Sequence, residues 1–187
     1  MKLATRTASA LAAFCLAASF TAAQSQKPKE DKSFELKTPF GGMSASSEAT
    51  ASEAGLPAYP GARPLKEKDD EDPQAKFSFS TPAFEFKVVA LKFETADSVE
   101  KVAAFYRKAL AKYGQVIECS ESTKASVPKA KREDDLDCEE SEPKKGGMEL
   151  KTGKESNQHI VAIEPAGKST HFALVYVVAR KKAKETL

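Results

Sequence analysis

Few side chains of this chain could do chemistry together, and the two histidines are the first to consider. His159 and Glu164 lie in one apolar-rich alternating run, 158–164, and His171 lies in the next, 170–179. Imidazole nitrogens and carboxylate oxygens are common metal ligands, and a hairpin over the short 165–168 connection would place the two runs side by side. His159, His171 and Glu164 are therefore candidate metal ligands. The alternative is that both histidines only pack on strand faces, since each alternates with apolar residues.

Two cysteines form the second candidate pair. Exported proteins retain disulfides because their compartment is oxidising, so Cys119 and Cys138 predict one disulfide. The bridge would enclose 18 residues, and closing such a loop contributes about 3 kcal/mol in the chain-entropy account. A metal site is the alternative, but neither histidine stands at a finger-like spacing from the cysteines.

No other pattern predicts catalysis or a cofactor. Nucleophilic catalysis needs an activated Ser or Cys beside a base and an orienting group, and the chain has no G-x-S-x-G motif. The glycine pairs at 41–42 and 146–147 are isolated, and the acidic runs 69–72 and 133–137 lack the EF-hand pattern. The sequence therefore leaves the catalytic residues, if the protein is an enzyme, unknown, and we predict no cofactor.

Strands are the main elements that would position these side chains. Alternating or continuous apolar residues predict six of them, over 76–80, 84–93, 115–119, 148–151, 158–164 and 170–179. Short connections between the last three favour an antiparallel meander. The order β-β-α-β-β-β-β predicts an α+β fold, a two-layer sandwich with one main helix packed on a mainly antiparallel sheet.

The single predicted helix lies between Asp97 and Gly114. Asp97 is the expected N-cap, Glu100 would complete a capping box, and Gly114 would supply a left-handed stop. An apolar stripe recurs between them at spacings of three and four, formed by Val99, Val102, Ala103, Tyr106, Leu110 and Tyr113. This stripe predicts that one face of the helix packs on the sheet.

The first 23 residues have the pattern of a cleavable secretory signal peptide. Lys2 and Arg6 precede the apolar run 8–20, and small residues lead to a cleavage site between Ala23 and Gln24. The whole chain has 29 basic and 27 acidic residues, and removal of the leader leaves 27 of each. This neutral balance argues against nucleic-acid binding. We expect a secreted or periplasmic protein with no transmembrane segment in its mature chain.

Composition divides the mature chain into three parts. Residues 24–55 are rich in Ser, Ala, Lys and Glu, which predicts a disordered tether, and the sequence leaves open whether 34–40 adds an edge strand. Residues 56–180 form the predicted α+β domain, with a charged excursion over 120–147 that the disulfide closes. Residues 181–187 are a basic tail.

Two motifs carry a resemblance to known proteins. Residues 59–62 read Y-P-G-A, and Phe105, Tyr106, Leu110 and Gly114 form an F-Y-x3-L-x3-G helix. Together they resemble small exported bacterial domains of uncharacterised function, which implies no activity. The helix and the strand order around it also resemble one module of the vicinal oxygen chelate, or glyoxalase-like, superfamily. That superfamily pairs two modules to build a metal site from His and Glu side chains.

The leading functional hypothesis is an exported, non-enzymatic module that binds another protein, an envelope component or a small ligand. It predicts an apolar, open sheet face. The alternative is a metal-dependent glyoxalase-like enzyme or ligand carrier formed by dimerisation, with His159, His171 and Glu164 as ligands. A third possibility is an accessory subunit of a larger complex.

Overall fold

The structure, a computed structural model, describes residues 33–65, 73–123 and 134–181. The predicted signal peptide with its cleavage site at Ala23–Gln24, and residues 182–187 of the basic tail, lie outside these ranges. The described strands and α-helix, in chain order, are β1 (Ser33–Thr38), β2 (Gly41–Ser46), β3 (Arg63–Pro64), β4 (Gln74–Ser80), β5 (Phe84–Thr95), α1 (Val99–Leu110), β6 (Ile117–Cys119), β7 (Met148–Lys154), β8 (Asn157–Ala166) and β9 (Ser169–Lys181). A short 3-10 helix (Ala111–Tyr113) follows α1 directly.

All described strands belong to one sheet. Its order is β1-β2-β4-β5-β9-β8-β7-β6, with β3 added beside β5, and every described strand pair is antiparallel. The longest pairing joins β5 and β9, from Phe84 opposite Lys181 to Thr95 opposite Thr170. The structure therefore confirms an α+β fold in which one helix packs on a mostly antiparallel sheet. The described sheet has nine strands where the sequence predicts six.

The two faces of the sheet are different. Residues with odd numbers on β5 and β8 and even numbers on β9 point toward the helix, because side chains alternate along a strand. This side, here called the helix face, carries fully buried residues such as Leu91, Val161 and Leu174, which lie opposite one another in the register. The other side, here called the open face, carries their neighbours Ala90, Ala162 and Val175 in part-exposed positions.

Helix α1 covers only part of the helix face. It contacts β7 and β8, and the predicted apolar stripe is buried from Val99 to Leu110. The last predicted member, Tyr113, lies after the α-helix and is exposed. The helix begins one residue later than the sequence suggests. Ser98 is the N-cap, since its side chain accepts a hydrogen bond from the Lys101 backbone N–H, so the prediction that Asp97 caps the helix is wrong.

Asp97 instead joins the helix start to the segment before β3. Its carboxylate accepts hydrogen bonds from the Tyr59 hydroxyl at 2.8 Å and from Lys101 Nζ at 2.6 Å. Burial and this hydrogen bond raise the pKa of Tyr59 to about 12. The Tyr59 ring also packs against Phe105 and Phe172, so the Y-P-G-A turn is fastened to both the helix and the sheet.

Residues 33–55 are ordered, which differs from the predicted disordered tether over 24–55. Ser33–Thr38 and Gly41–Ser46 form a β-hairpin that extends the sheet, so the fragment 34–40 does contribute an edge strand. Ala49 and Ala54 are buried. The composition predicted disorder because the segment has few large apolar residues. Strand pairing and hydrogen bonds hold the segment in place instead, so small side chains are sufficient for it to fold.

Part of the predicted charged excursion packs against the sheet as well. Leu136, Cys138 and Ser141 are buried, and the Ser141 hydroxyl donates to Glu149 on β7 at 3.0 Å. Cys119 and Cys138 lie within disulfide distance, with their Cα atoms 5.5 Å apart. No helix in the described ranges has both the length and the apolar character needed to cross a membrane.

Two neighbouring residues test the assignment of the faces. Leu174→Ala should lower the free energy of unfolding by about 2–5 kcal/mol, because the side chain is fully buried and its loss leaves a cavity. Val175→Ala on the open face is the matched control and should cost less than about 1 kcal/mol. Urea denaturation followed by circular dichroism measures both, and equal losses would contradict the assignment.

The disulfide gives a second prediction. Oxidised, folded protein should show no titratable thiol from Cys119 and Cys138, and reduction should lower the free energy of unfolding by about 3 kcal/mol. Thiol titration and urea denaturation with and without reductant measure these effects. A double Cys119→Ala, Cys138→Ala variant should be insensitive to reductant. Two reactive thiols in the oxidised protein would refute the bond.

Candidate functional site

The open face is the most distinctive surface of the described chain. Most of its side chains on six neighbouring strands are apolar, and these apolar side chains are all at least partly exposed. They are Phe34, Leu36, Met43, Ala45, Ala75, Phe77, Phe79, Phe86, Val88, Ala90, Ile160, Ala162, Ala173, Val175, Val177 and Ala179. An antiparallel sheet that is solvated on one side normally places polar residues there, so this face departs from the usual pattern.

Strand register makes the open face continuous. One row runs through Ala45, Phe77, Val88 and Val177, which are successive partners across β2, β4, β5 and β9. Phe77 and Phe86 are 6.0 Å apart between ring centroids, and Phe79 is 38% exposed. Five strand spacings of about 4.8 Å give a width of about 24 Å, and three side-chain rows give an area on the order of 300 Å².

A cleft adjoins this face at one end of β8 and β9. Its volume is about 320 Å³, and its lining includes Lys92, Glu149, Glu164 and His171 together with Ala162 and Ala173 of the open face. His171 lies directly opposite Glu164 on one side and Glu94 on the other. The carboxylates are already paired with cations, Glu164 with Lys144 at 2.8 Å and Glu94 with Arg63 at 3.3 Å.

The structure brings together two of the three candidate metal ligands and separates the third. Glu164 and His171 line the cleft, whereas His159 lies on the helix face and is buried. The sheet therefore stands between His159 and the other two side chains. Within the described ranges, no group of three or more His, Cys, Asp or Glu residues is arranged to hold a metal ion.

The surroundings of His159 give it a role in packing. Its ring is stacked between Tyr113 and Tyr176, at centroid distances of 3.8 and 4.5 Å, and its Nδ1 is 2.9 Å from the carbonyl oxygen of Ala54. With the imidazole neutral, that nitrogen donates the bond to the carbonyl. Burial lowers the pKa of His159 below its ordinary value of 6.5. The histidine thus holds the segment before β3 against the sheet.

Comparison with protein-family models, with curated proteins and with solved structures found no match to this chain. The resemblances to small exported domains and to a glyoxalase-like module therefore remain expectations from the sequence.

The sequence contains a signal for the open face. Apolar residues occupy both alternating sets of β5, β8 and β9, for example Val88 beside Val89 and Ile160 beside Val161. A strand that is apolar on both sides predicts burial on both faces of a sheet. The signal correctly identifies apolar faces, but the described ranges contain one α-helix, and this helix packs on one side of the sheet only.

His159 generates a pH prediction. Because its pKa is lowered in the folded state, the unfolded chain binds a proton that the folded chain does not as the pH falls through about 6.5. The free energy of unfolding should therefore be fully retained above about pH 7.5 and decline as the pH falls through about 6.5 toward the lowered pKa of the folded state.

Urea denaturation across this range measures the decline. His159→Gln, whose amide can still donate to the Ala54 carbonyl, should flatten it. His171→Asn controls for removing a histidine at another place. An unchanged slope in the His159→Gln variant would contradict the structural role of a neutral imidazole.

Proposed function

We propose that this protein is an exported, non-enzymatic binding module whose open face holds the apolar surface of a partner protein in the cell envelope. The observation that carries the proposal is the continuous row of part-exposed apolar side chains across β2, β4, β5 and β9. Contiguous apolar patches of this extent on a single chain are commonly interaction sites, because exposing them to water costs free energy.

The shape of the surface favours a protein as the partner. Small-molecule sites are concave and enclose most of their ligand, whereas the apolar residues here lie on one side of the sheet, along six neighbouring strands. The cleft at the end of β8 and β9 is continuous with this surface through Ala162 and Ala173 and brings charged residues to its border. An apolar centre with a polar border is the usual anatomy of a protein–protein interface.

Site-specific photo-crosslinking in cells tests the proposal. A photoreactive residue replaces Val177 on the open face or, as the matched control, the exposed Lys108 on the helix, in the full chain with its leader. We expect one adduct of discrete mass from position 177 and none from position 108. The intact mass of the recovered protein reports whether cleavage follows Ala23.

A second substitution makes the result decisive. Val88→Glu places a charge beside Val177 on the same row and should remove the adduct while the circular dichroism spectrum and the thermal midpoint of the purified variant stay close to those of the parent. The absence of any adduct at position 177, equal adducts at both positions, or an adduct that survives Val88→Glu would overturn the proposal.

A further inference from the structure

Strand β1 is an edge strand of the sheet within the part of the chain that the structure describes. Within the described ranges it pairs only with β2, and all six of its residues are exposed. Phe34 is 53% exposed and Leu36 is 47% exposed, both on the open face. A free edge with apolar side chains is a template for pairing with another strand. The other end of the sheet differs, since β6 has only three residues and ends at the disulfide.

The β1–β2 hairpin determines which backbone groups of β1 point outward. Thr38 is opposite Gly41 across a two-residue turn, so this pair exchanges both of its hydrogen bonds. Because hydrogen-bonded and non-hydrogen-bonded pairs alternate along an antiparallel ladder, Phe34 and Leu36 also direct their N–H and C=O groups toward β2. Glu35 and Lys37 therefore direct theirs away from the sheet, toward any strand added at this edge.

We propose that β1 pairs with β1 of a second copy of this chain, antiparallel, about a two-fold axis at Leu36. In this register Glu35 lies opposite Lys37 of the second copy, and Lys37 lies opposite its Glu35. These are the residues whose backbone groups point outward, so they form hydrogen-bonded pairs across the axis. Leu36 meets its own copy in a non-hydrogen-bonded pair, where side chains are closest, about 4.5 Å apart between Cα atoms.

Charge selects this register over its neighbours. Glu35 and Lys37 lie on the same face of β1 and form an ion pair at 2.8 Å in the single chain. Shifting the two-fold axis to Glu35 would place two glutamates opposite each other, and shifting it to Lys37 would place two lysines together. Opposite charges across a strand pair stabilise it and like charges destabilise it. The axis at Leu36 thus pairs opposite charges across the strands and also satisfies the outward backbone groups.

The dimer would join the two open faces into one surface. Phe34 and Leu36 stand at the border of each open face, so pairing the β1 edges continues the apolar surface from one copy to the other. The inference does not depend on the proposed function. A strand edge of six residues buries less area than a standard interface, so we expect association that depends on concentration.

Sedimentation equilibrium of the purified protein over a range of concentrations tests the dimer with two opposite variants. Glu35→Lys gives strands whose charges are all positive, and Lys37→Glu gives strands whose charges are all negative. Each alone should raise the dimer dissociation constant about tenfold or more. An equimolar mixture should restore association, since every cross-strand pair in the mixed dimer is then opposite in charge.

The mixture distinguishes loss of pairing between copies from damage within one strand. Each variant strand keeps its two like charges at positions 35 and 37 in the mixture, so recovery of the dimer can come only from the opposite charges across the strand pair. Leu36→Cys tests the register, because cysteines at the axis lie within disulfide reach. This variant should form a covalent dimer under mild oxidation much faster than Lys108→Cys, at an exposed position on the helix. A monomer at every concentration, no recovery in the mixture, or equal cross-linking of the two cysteine variants would overturn the proposal.

Discussion

A helix of 12 residues has to cover a sheet whose main path is eight strands long. At 1.5 Å per residue the helix is about 18 Å long and about 10 Å wide, whereas seven strand spacings amount to about 34 Å. Helix α1 can therefore shield only part of the sheet, where it contacts β7 and β8 and where Tyr106 packs against Phe172 of β9. The rest of the helix face needs another cover, and the opposite face receives none from this helix. Both the unusual segment before β3 and the open face follow from this mismatch.

The segment before β3 supplies the missing cover on the helix face, and aromatic side chains from elsewhere hold its backbone in place. Tyr106 and Tyr113 donate hydrogen bonds to the carbonyl oxygens of Pro57 and Gly55, as His159 does to Ala54. Gly55 adopts a positive φ of 72°, and a Cβ added there would lie 2.5 Å from the Tyr113 hydroxyl. The segment thus depends on distant residues, which explains why its own composition suggested disorder.

Hydrophobic periodicity was sufficient for the helix and for the six strands between β4 and β9, because each buries a regular set of side chains. It was not sufficient for the β1–β2 hairpin, whose small and polar residues stand at the edge of the sheet. The three candidate metal ligands cannot meet, because side chains alternate between the two faces of a sheet along each strand. His159 and Glu164 are five positions apart on β8 and must point to opposite faces, whereas Glu164 and His171 are paired by the turn at Gly167. This separation could have been determined from the sequence once the turn was located.

The arrangement separates the parts of the sheet that stabilise the fold from the parts that remain available. Helix α1, the disulfide and the segment 134–147 lie against β6, β7 and β8. The edge strand β1 of the described ranges lies at the other end, as do three of the exposed large apolar side chains, Phe34 and Leu36 on β1 and Phe79 on β4. A side chain exposed on β1 or β4 can therefore change with little effect on the core beneath the helix. An interaction surface requires this independence, because its side chains can then be substituted to suit a partner while the residues that stabilise the fold stay unchanged.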